Sequence, residues 1–318
     1  MRTDRVPVAD GVELVVDTWA PGDSSGVPAA GGAEVATMPG APTGTAPDAA
    51  PSTAPGTPGL VAFVLVHGLA SNARLWDGVA ACLAAAGHRV ATVDLRGHGR
   101  SSKPDGPYDV PTVAADLAAV VARLDLDRPI VAGQSWGGNV VVELAARHPG
   151  ATRGIVCVDG GWFEPRARFP DWEACLRALA PPRLAGRRLA EVEGHIRAAH
   201  PDWPEAGIRA TLANFEVRAD GRIAPWLTYE RHVAVLRGLW DHRPSALFPG
   251  LGVPALLVPA DTGDTDWTER KVREVEAAAA AIPSVRVRWL DGDHDLHAQH
   301  PDELAGAMLE ATRDGLFG

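Results

Sequence analysis

The sequence predicts an α/β fold on a mostly parallel sheet, and three observations carry that reading. Apolar runs alternate with helix-period patterns over residues 60–159. The chain opens on a short strand pair turning at Asp10-Gly11. A glycine-flanked serine, Gly133-Gln134-Ser135-Trp136-Gly137-Gly138, stands between an apolar run and a helical pattern. With 318 residues, 46% of them hydrophobic, there is enough chain for one large α/β domain with an insertion, or for two ordinary domains.

Residues 6–8 and 13–19 read as an antiparallel hairpin, so residues 1–20 form the entry to the sheet. From 21 to 59 Pro, Gly, Ala, Ser and Thr dominate without an apolar period. Such a segment cannot offset the entropy of ordering itself and is expected to be a disordered, low-complexity insertion between the second and third strands. The first part of the core, residues 60–161, then reads strand 60–66, helix 75–86, strand 89–94, helix 113–124, strand 129–134, helix 138–148 and strand 153–159. Continuous Val/Ile/Leu strands between helices indicate a parallel sheet covered on both faces. Sites in such sheets collect at the carboxyl ends of the strands, where the Gly68, Asp94 and Ser135 loops fall.

Between 162 and 248 the pattern changes to short helices broken by prolines, with Trp162, Trp172, Trp203, Trp226 and Trp240 among them. The sheet resumes at Pro254, and residues 249–318 complete the core with strands 254–260 and 285–290 and a closing helix over 302–313.

A serine on a sharp strand-to-helix turn projects its hydroxyl into open space, and glycines on either side let other backbone approach the turn. Such a hydroxyl is a weak nucleophile until a base removes its proton and a carboxylate fixes that base's tautomer. The downstream segment Asp291-Gly292-Asp293-His294-Asp295-Leu296-His297 offers His294 as the base. Asp261, Asp264 and Asp266, after the strand over 254–260, compete as the acid.

These residues resemble the α/β-hydrolase superfamily, whose order along the chain is nucleophile, acid, histidine. Further matches are His67-Gly68-Leu69 with Trp76, similar to the family's HG oxyanion motif; Asp94-Leu95-Arg96-Gly97-His98-Gly99-Arg100-Ser101, similar to its D-x-R-G-x-G-x-S loop; and Pro301 seven residues beyond His294. The likeness runs from Val61 to the C-terminus apart from the middle. It implies an α/β-hydrolase fold with a mostly parallel eight-stranded sheet, helices on both faces and a helical cap insertion at 162–248. It also implies a serine hydrolase with Ser135, Asp264 and His294 as triad, Leu69 and Trp136 N–H groups as oxyanion donors, and no cofactor. Asp264 is favoured among the acids by its distance from the small residue closing the seventh strand, although the usual spacing falls on Gly263. Asp159 is the further candidate, since some members carry the acid after the sixth strand; a loop cap beside Gly160 and Gly161 is the preferred reading for it. His67 is expected to bond its own loop and Arg96 to bond loops at the site's rim. Trp162 and Trp240 are the candidates for substrate contact in an apolar cleft.

The expected reaction is hydrolysis of a carboxylic ester, thioester or lactone of a small, largely apolar substrate. Peptidase, C–C hydrolase and cofactor-free haloperoxidase activities stay open, as does a slow-turnover ligand-binding receptor. A net charge of −10 argues against nucleic acid or an anionic membrane as partner, leaving a small-molecule substrate and a monomer or homodimer. Arg183, Arg187 and Arg188 cluster, and with no interleaved aromatics they read as a solvated helix face. Three scattered cysteines, Cys82, Cys157 and Cys175, do not make a disulfide framework, and the N-terminus lacks a signal peptide's apolar core; the expectation is a cytoplasmic protein. His294, Asp295, His297 and His300 superficially suggest a metal group but read better as a catalytic loop entering a helix, so no metal is expected.

Overall fold

The computed structural model describes residues 1–23 and 60–318, without the side chains of residues 265–267. The expected insertion at 21–59 lies outside the described residues except for 21–23, where the Gly22 N–H donates to the Ala84 carbonyl at 2.7 Å.

In chain order the elements are β1 (Arg2–Pro7), β2 (Glu13–Trp19), β3 (Ala62–Val66), α1 (Asp77–Ala85), β4 (Arg89–Asp94), α2 (Val110–Arg123), β5 (Ile130–Gln134), α3 (Trp136–Arg147) and β6 (Gly154–Val158). The chain then leaves the sheet for α4 (Pro165–Arg168), α5 (Trp172–Leu179), α6 (Leu189–Ala199), α7 (Glu205–Leu212), β7 (Phe215–Val217), β8 (Ile223–Pro225) and α8 (Tyr229–Asp241). It returns through β9 (Ala255–Val258), β10 (Ala260–Asp261), α9 (Thr265–Ala281), β11 (Val285–Val287), β12 (Leu290–Asp291), α10 (Leu296–Gln299) and α11 (Pro301–Arg313). The main sheet has eight strands in the order β1-β2-β4-β3-β5-β6-β9-β11. Only the β1–β2 and β2–β4 pairings are antiparallel, and every other neighbour in it is parallel.

Alternate residues of the central strands feed two apolar layers. Val64, Val66, Val131, Ile155 and Leu257 face the layer formed with α2, α3 and the helical excursion. Phe63, Leu65, Ile130, Ala132, Val156 and Leu256 face the layer under α1 and α11. This period of two within uninterrupted apolar runs is what a sheet covered on both sides requires.

Two boundaries differ from expectation for local reasons. Helix α2 begins at Val110, three residues early, because the Asp109 carboxylate caps it by accepting from the Thr112 N–H at 2.9 Å and Pro111 is harmless in a first turn. The strands expected over 254–260 and 285–290 each divide. Pro259 has no N–H to give the ladder, so β9 and β11 end and a separate parallel pair forms with Ala260 opposite Leu290. Among the described residues no helix is long and apolar enough to cross a membrane.

Candidate active site

Ser135 stands between β5 and α3 with φ 53° and ψ −120°, a left-handed conformation that an L-residue holds only when its surroundings enforce it. Its N–H donates to the Val158 carbonyl at 2.9 Å, and its carbonyl accepts from the Gly138 N–H at 2.9 Å. Gly160, on the loop after β6, packs so closely that a Cβ there would lie 2.2 Å from the Ser135 carbonyl oxygen. The loop carrying Asp159 is thereby held against the serine.

His294 reaches the same place from the other end of the chain. The Gln134 side-chain amide donates to the His294 carbonyl at 2.9 Å, tying the histidine loop to the residue before the serine. The imidazole is about half exposed (53%), and its Nδ1 donates to Asp159 Oδ2 at 2.6 Å. The other ring nitrogen, Nε2, is left for a proton-transfer partner. Burial opposes the charged imidazolium, but the Asp159 bond and the fields of Asp295 and Asp159 outweigh burial and the opposing Lys271 charge, so its pKa is raised.

The carboxylate at His294 is therefore Asp159 and not Asp264. Asp159 is buried (8% exposed) with φ 41°. Its Oδ1 accepts from the Ala260 N–H at 3.0 Å and faces the Lys271 Nζ at 2.7 Å. Burial works against its charge, yet the bonds and fields of His294 and Lys271 prevail and lower its pKa. Asp264 is exposed at the entry to α9, where its carbonyl accepts from the Thr268 N–H at 2.9 Å. The division of the seventh strand at Pro259 carries the 262–264 loop outward. From that region the site receives the buried cation of Lys271, which also donates to the Ala260 carbonyl at 2.7 Å. Asp261 is occupied locally, accepting from the Gly263 N–H at 3.0 Å and the Thr268 hydroxyl at 3.2 Å. The Asp266 side chain lies outside the described residues.

Leu69 and Trp136, the expected oxyanion donors, follow residues packed at the nucleophile. Gly68 abuts the nucleophile, since a Cβ on it would lie 2.3 Å from Gln134 Oε1 and 3.1 Å from Ser135 Cβ. Trp136 opens α3, so its N–H belongs to the first turn, where helix donors lack internal partners. The Trp136 indole itself is buried and stacked on His98, with ring centres 5.4 Å apart.

The remaining motif residues hold the loops. His67 Nε2 accepts from the Leu95 N–H at 3.0 Å and its Nδ1 donates to the Gly68 carbonyl at 2.7 Å, while burial lowers its pKa. Arg96 is fully buried rather than at a rim. Its guanidinium forks onto Asp116 of α2 at 2.5 and 2.7 Å and donates to the Pro107 carbonyl at 2.9 Å. Asp94 accepts from the Ala73 and Arg100 N–H groups at 2.8 and 3.0 Å.

The histidines after His294 diverge from it. His297 is fully buried against Trp76, ring centres 4.7 Å apart, and burial pushes its pKa down to about 3. His300 Nδ1 lies 4.0 Å from Glu303 on α11. Among the described residues no group of three or more His, Cys, Asp or Glu side chains is arranged to hold a metal ion.

Trp162 and Trp240 do not occupy the place expected of them. They are 8% and 6% exposed within the same apolar layer as Val64 and Val131, and Trp240 packs edge-on against Trp172. On α8 the buried His232, Val235, Leu236, Leu239 and Trp240 follow helical spacing, so that face belongs to the core. A cavity of about 850 Å³ opens instead between the excursion and the turn after Leu69, lined by Ala70, Ser71, Gly99 and many excursion residues, Trp226 among them.

Sequence reasoning missed Lys271, the Gln134 clamp and a polar seam at Asp293. There the Trp203 indole N–H donates to Asp293 Oδ2 at 2.7 Å, and His200 Nδ1 approaches it at 3.1 Å. Gln134 could have been noticed from its place beside the serine, whereas Lys271 has no sequence signal until the acid is known.

A strained serine on a strand-to-helix turn, with a carboxylate-bound histidine on a loop tied to the residue before it at the carboxyl edge of a parallel sheet, is the arrangement of a hydrolase-type site. The chain belongs to the alpha/beta hydrolase fold family, whose model matches residues 61–301. It is 39% identical over 272 residues to a provisionally named non-heme chloroperoxidase from Synechocystis, covering 77% of this chain and 89% of that protein. It is 30% identical over 177 residues to the 2-(acetamidomethylene)succinate hydrolase of Mesorhizobium japonicum, covering 54% of this chain and 61% of that one. Among solved structures, an E-2-(acetamidomethylene)succinate hydrolase superposes with a TM-score of 0.69 at 20% identity, covering 97% of this chain and 98% of the other. A thermophilic esterase from Thermogutta terrifontis superposes with a TM-score of 0.65 at 18% identity, covering the whole of both. The two superpositions concern the fold alone.

Proposed function

We propose that this protein is a serine hydrolase that cleaves a carboxylic ester, thioester or lactone through an acyl-enzyme. The observation that carries the reading is the 2.6 Å bond from His294 Nδ1 to Asp159, made on a loop that Gln134 ties beside the nucleophile. With Nδ1 donating to a carboxylate, Nε2 is the basic nitrogen and takes the Ser135 proton as the hydroxyl attacks the carbonyl. The oxyanion draws on the Leu69 and Trp136 N–H groups, His294 returns the proton to the leaving group, and water repeats the sequence on the acyl-enzyme. Asp159 stays ionised throughout, and its bond to Nδ1 becomes stronger when the imidazolium forms.

A fluorophosphonate probe, followed by peptide mapping, tests the reading. It should modify Ser135, label should be lost in Ser135→Ala, and p-nitrophenyl acetate should give a burst followed by a steady rate. Absence of both label and turnover in the folded protein refutes it.

Haloperoxidase-type chemistry is a second reading, favoured by the name of the Synechocystis relative. It requires peroxide and a halide, so halogenation of monochlorodimedone by the wild type, absent in Ser135→Ala, distinguishes it from simple hydrolysis.

A further inference from the structure

We propose that the cavity under the helical excursion binds a carboxylate of the substrate, so that the preferred ester carries an anionic group remote from the carbonyl attacked by Ser135. This rests on the serine-hydrolase reading and names its substrate class.

Val192, Ile196, Phe215, Trp226 and Leu227 give the cavity apolar walls, and its volume of about 850 Å³ is ample for a small ester. Three arginines, Arg183, Arg187 and Arg218, are among its lining residues, all three exposed, against one lining carboxylate residue, Glu230. Among the described residues no ion pair includes any of the three. Other arginines of the excursion are neutralised: Arg166 by Asp241, Arg168 by Glu274, Arg197 by Glu193 and Glu205, and Arg231 by Asp105. Arg183 is also held in place, its guanidinium 4.0 Å from the centre of the Tyr229 ring. A planar fork with limited freedom loses little on meeting a carboxylate.

Ser71 and His232 also belong to the lining. Ser71 Oγ and His232 Nδ1, on residues 9% and 5% exposed, have no hydrogen-bond partner among the described residues. Burial lowers the His232 pKa and keeps the ring neutral. Its Nε2 donates to the Leu179 carbonyl at 3.3 Å, so the ring is held by the excursion and does not itself bond the anion. Ser71 follows Leu69 by two residues, so the cavity adjoins the oxyanion turn. An acyl chain with its carbonyl at that turn can run along the apolar wall and end at the arginines. The net charge of −10 repels an anion at long range, so selection for one has to come from these local cations.

Mono-p-nitrophenyl glutarate and p-nitrophenyl butyrate differ in the terminal carboxylate and test this directly. The wild type should favour the glutarate by about tenfold or more in kcat/KM. Arg183→Gln, Arg187→Gln and Arg218→Gln should each lower the glutarate-to-butyrate ratio, and the triple variant should bring it to about one. Raising salt from about 0.05 to about 0.5 M should erode the preference in the wild type. A wild type without preference, or a triple variant that keeps it, overturns the proposal. If neither ester is hydrolysed, the serine reading has failed, and the cavity is judged by calorimetric titration with free glutarate. Binding to the wild type and not to the triple variant supports the carboxylate site, and equal binding or none overturns it.

Discussion

Asp159 holds two side chains with its two oxygens, one facing the His294 Nδ1–H and the other facing Lys271 and the Ala260 N–H. An amide in its place could still fill the space, but it would give the imidazole no fixed negative partner and would favour the wrong tautomer. Asp159→Asn should therefore lower kcat by about 10³ to 10⁴ with ester substrates, while Asp264→Asn should stay within about twofold of wild type, since Asp264 lies outside the His294 pair. Circular dichroism of both variants separates lost chemistry from lost fold. Loss of turnover in Asp264→Asn with Asp159→Asn unaffected would return the role to the 262–264 loop. The same pair fixes the pH response. General-base action needs neutral His294, and its pKa is raised. Activity should thus fall as pH drops through a value above that of an ordinary histidine, and a kcat/KM profile whose acid limb lies below that value contradicts the bond's assigned effect. Ser135 and His294 were legible in the sequence because each sits in a local pattern, a glycine-flanked turn and a histidine followed by Pro301. The acid was not, since four aspartates follow strands and only three-dimensional placement tells which faces the imidazole.

Helix α9 buries Val275 and Ala278 in the core and sends Lys271, on the same face, toward the site. Lys271 passes beneath β10, bonds the Ala260 carbonyl and places its charge 2.7 Å from Asp159 Oδ1, with both side chains almost fully buried. Removing one member of a buried pair strands the other. Lys271→Met should cost about 3 kcal/mol or more in urea unfolding, at the low end of such losses because His294 still partners Asp159. Its effect on chemistry has a definite sign. The lysine charge lowers the His294 pKa, so its loss strengthens Asp159's hold on the imidazolium and should move the acid limb of kcat/KM to higher pH. Lys271→Arg, which restores charge, should move the limb back. An unchanged limb in folded Lys271→Met would show that the lysine only supports structure. Lys271 lies one turn before Val275 and Ala278 on the buried face, but a lysine at the start of an apolar stripe reads as its solvated end, so the sequence gives no sign that it is inward. The early start of α2 was legible in principle, since Asp109 precedes Pro111 and Thr112 as a capping group would.

Across the whole molecule, the alternation of apolar runs and helices was enough to anticipate a mostly parallel sheet, because a parallel neighbour requires a crossover and a doubly covered strand requires a continuous apolar run, while the count of eight strands came from the family resemblance. The excursion was read less well, and the tryptophans show why. A tryptophan suits a binding cleft and a core equally, and its side of a short helix depends on a partner surface that the local sequence does not describe. In the fold, Trp162, Trp240, Leu236 and Leu239 share one apolar layer with Val64, Val131 and Ile155 of the sheet. A second seam joins Trp203 and Ile208 to Leu75 and Ala298, and Trp203 and His200 also bond Asp293 beside His294. An excursion that keeps its main apolar face in the sheet's own core has little core of its own with which to remain folded alone. Unfolding in urea should therefore be cooperative across it. Tryptophan fluorescence, with five of the chain's ten indoles in the excursion, and far-ultraviolet circular dichroism, dominated by sheet and core helices, should give coincident midpoints. A fluorescence transition well below the dichroism transition would mean that the excursion melts separately. Ester turnover would then be expected to disappear with the earlier transition, because Asp293 and the His294 loop lose the Trp203 contact at that point.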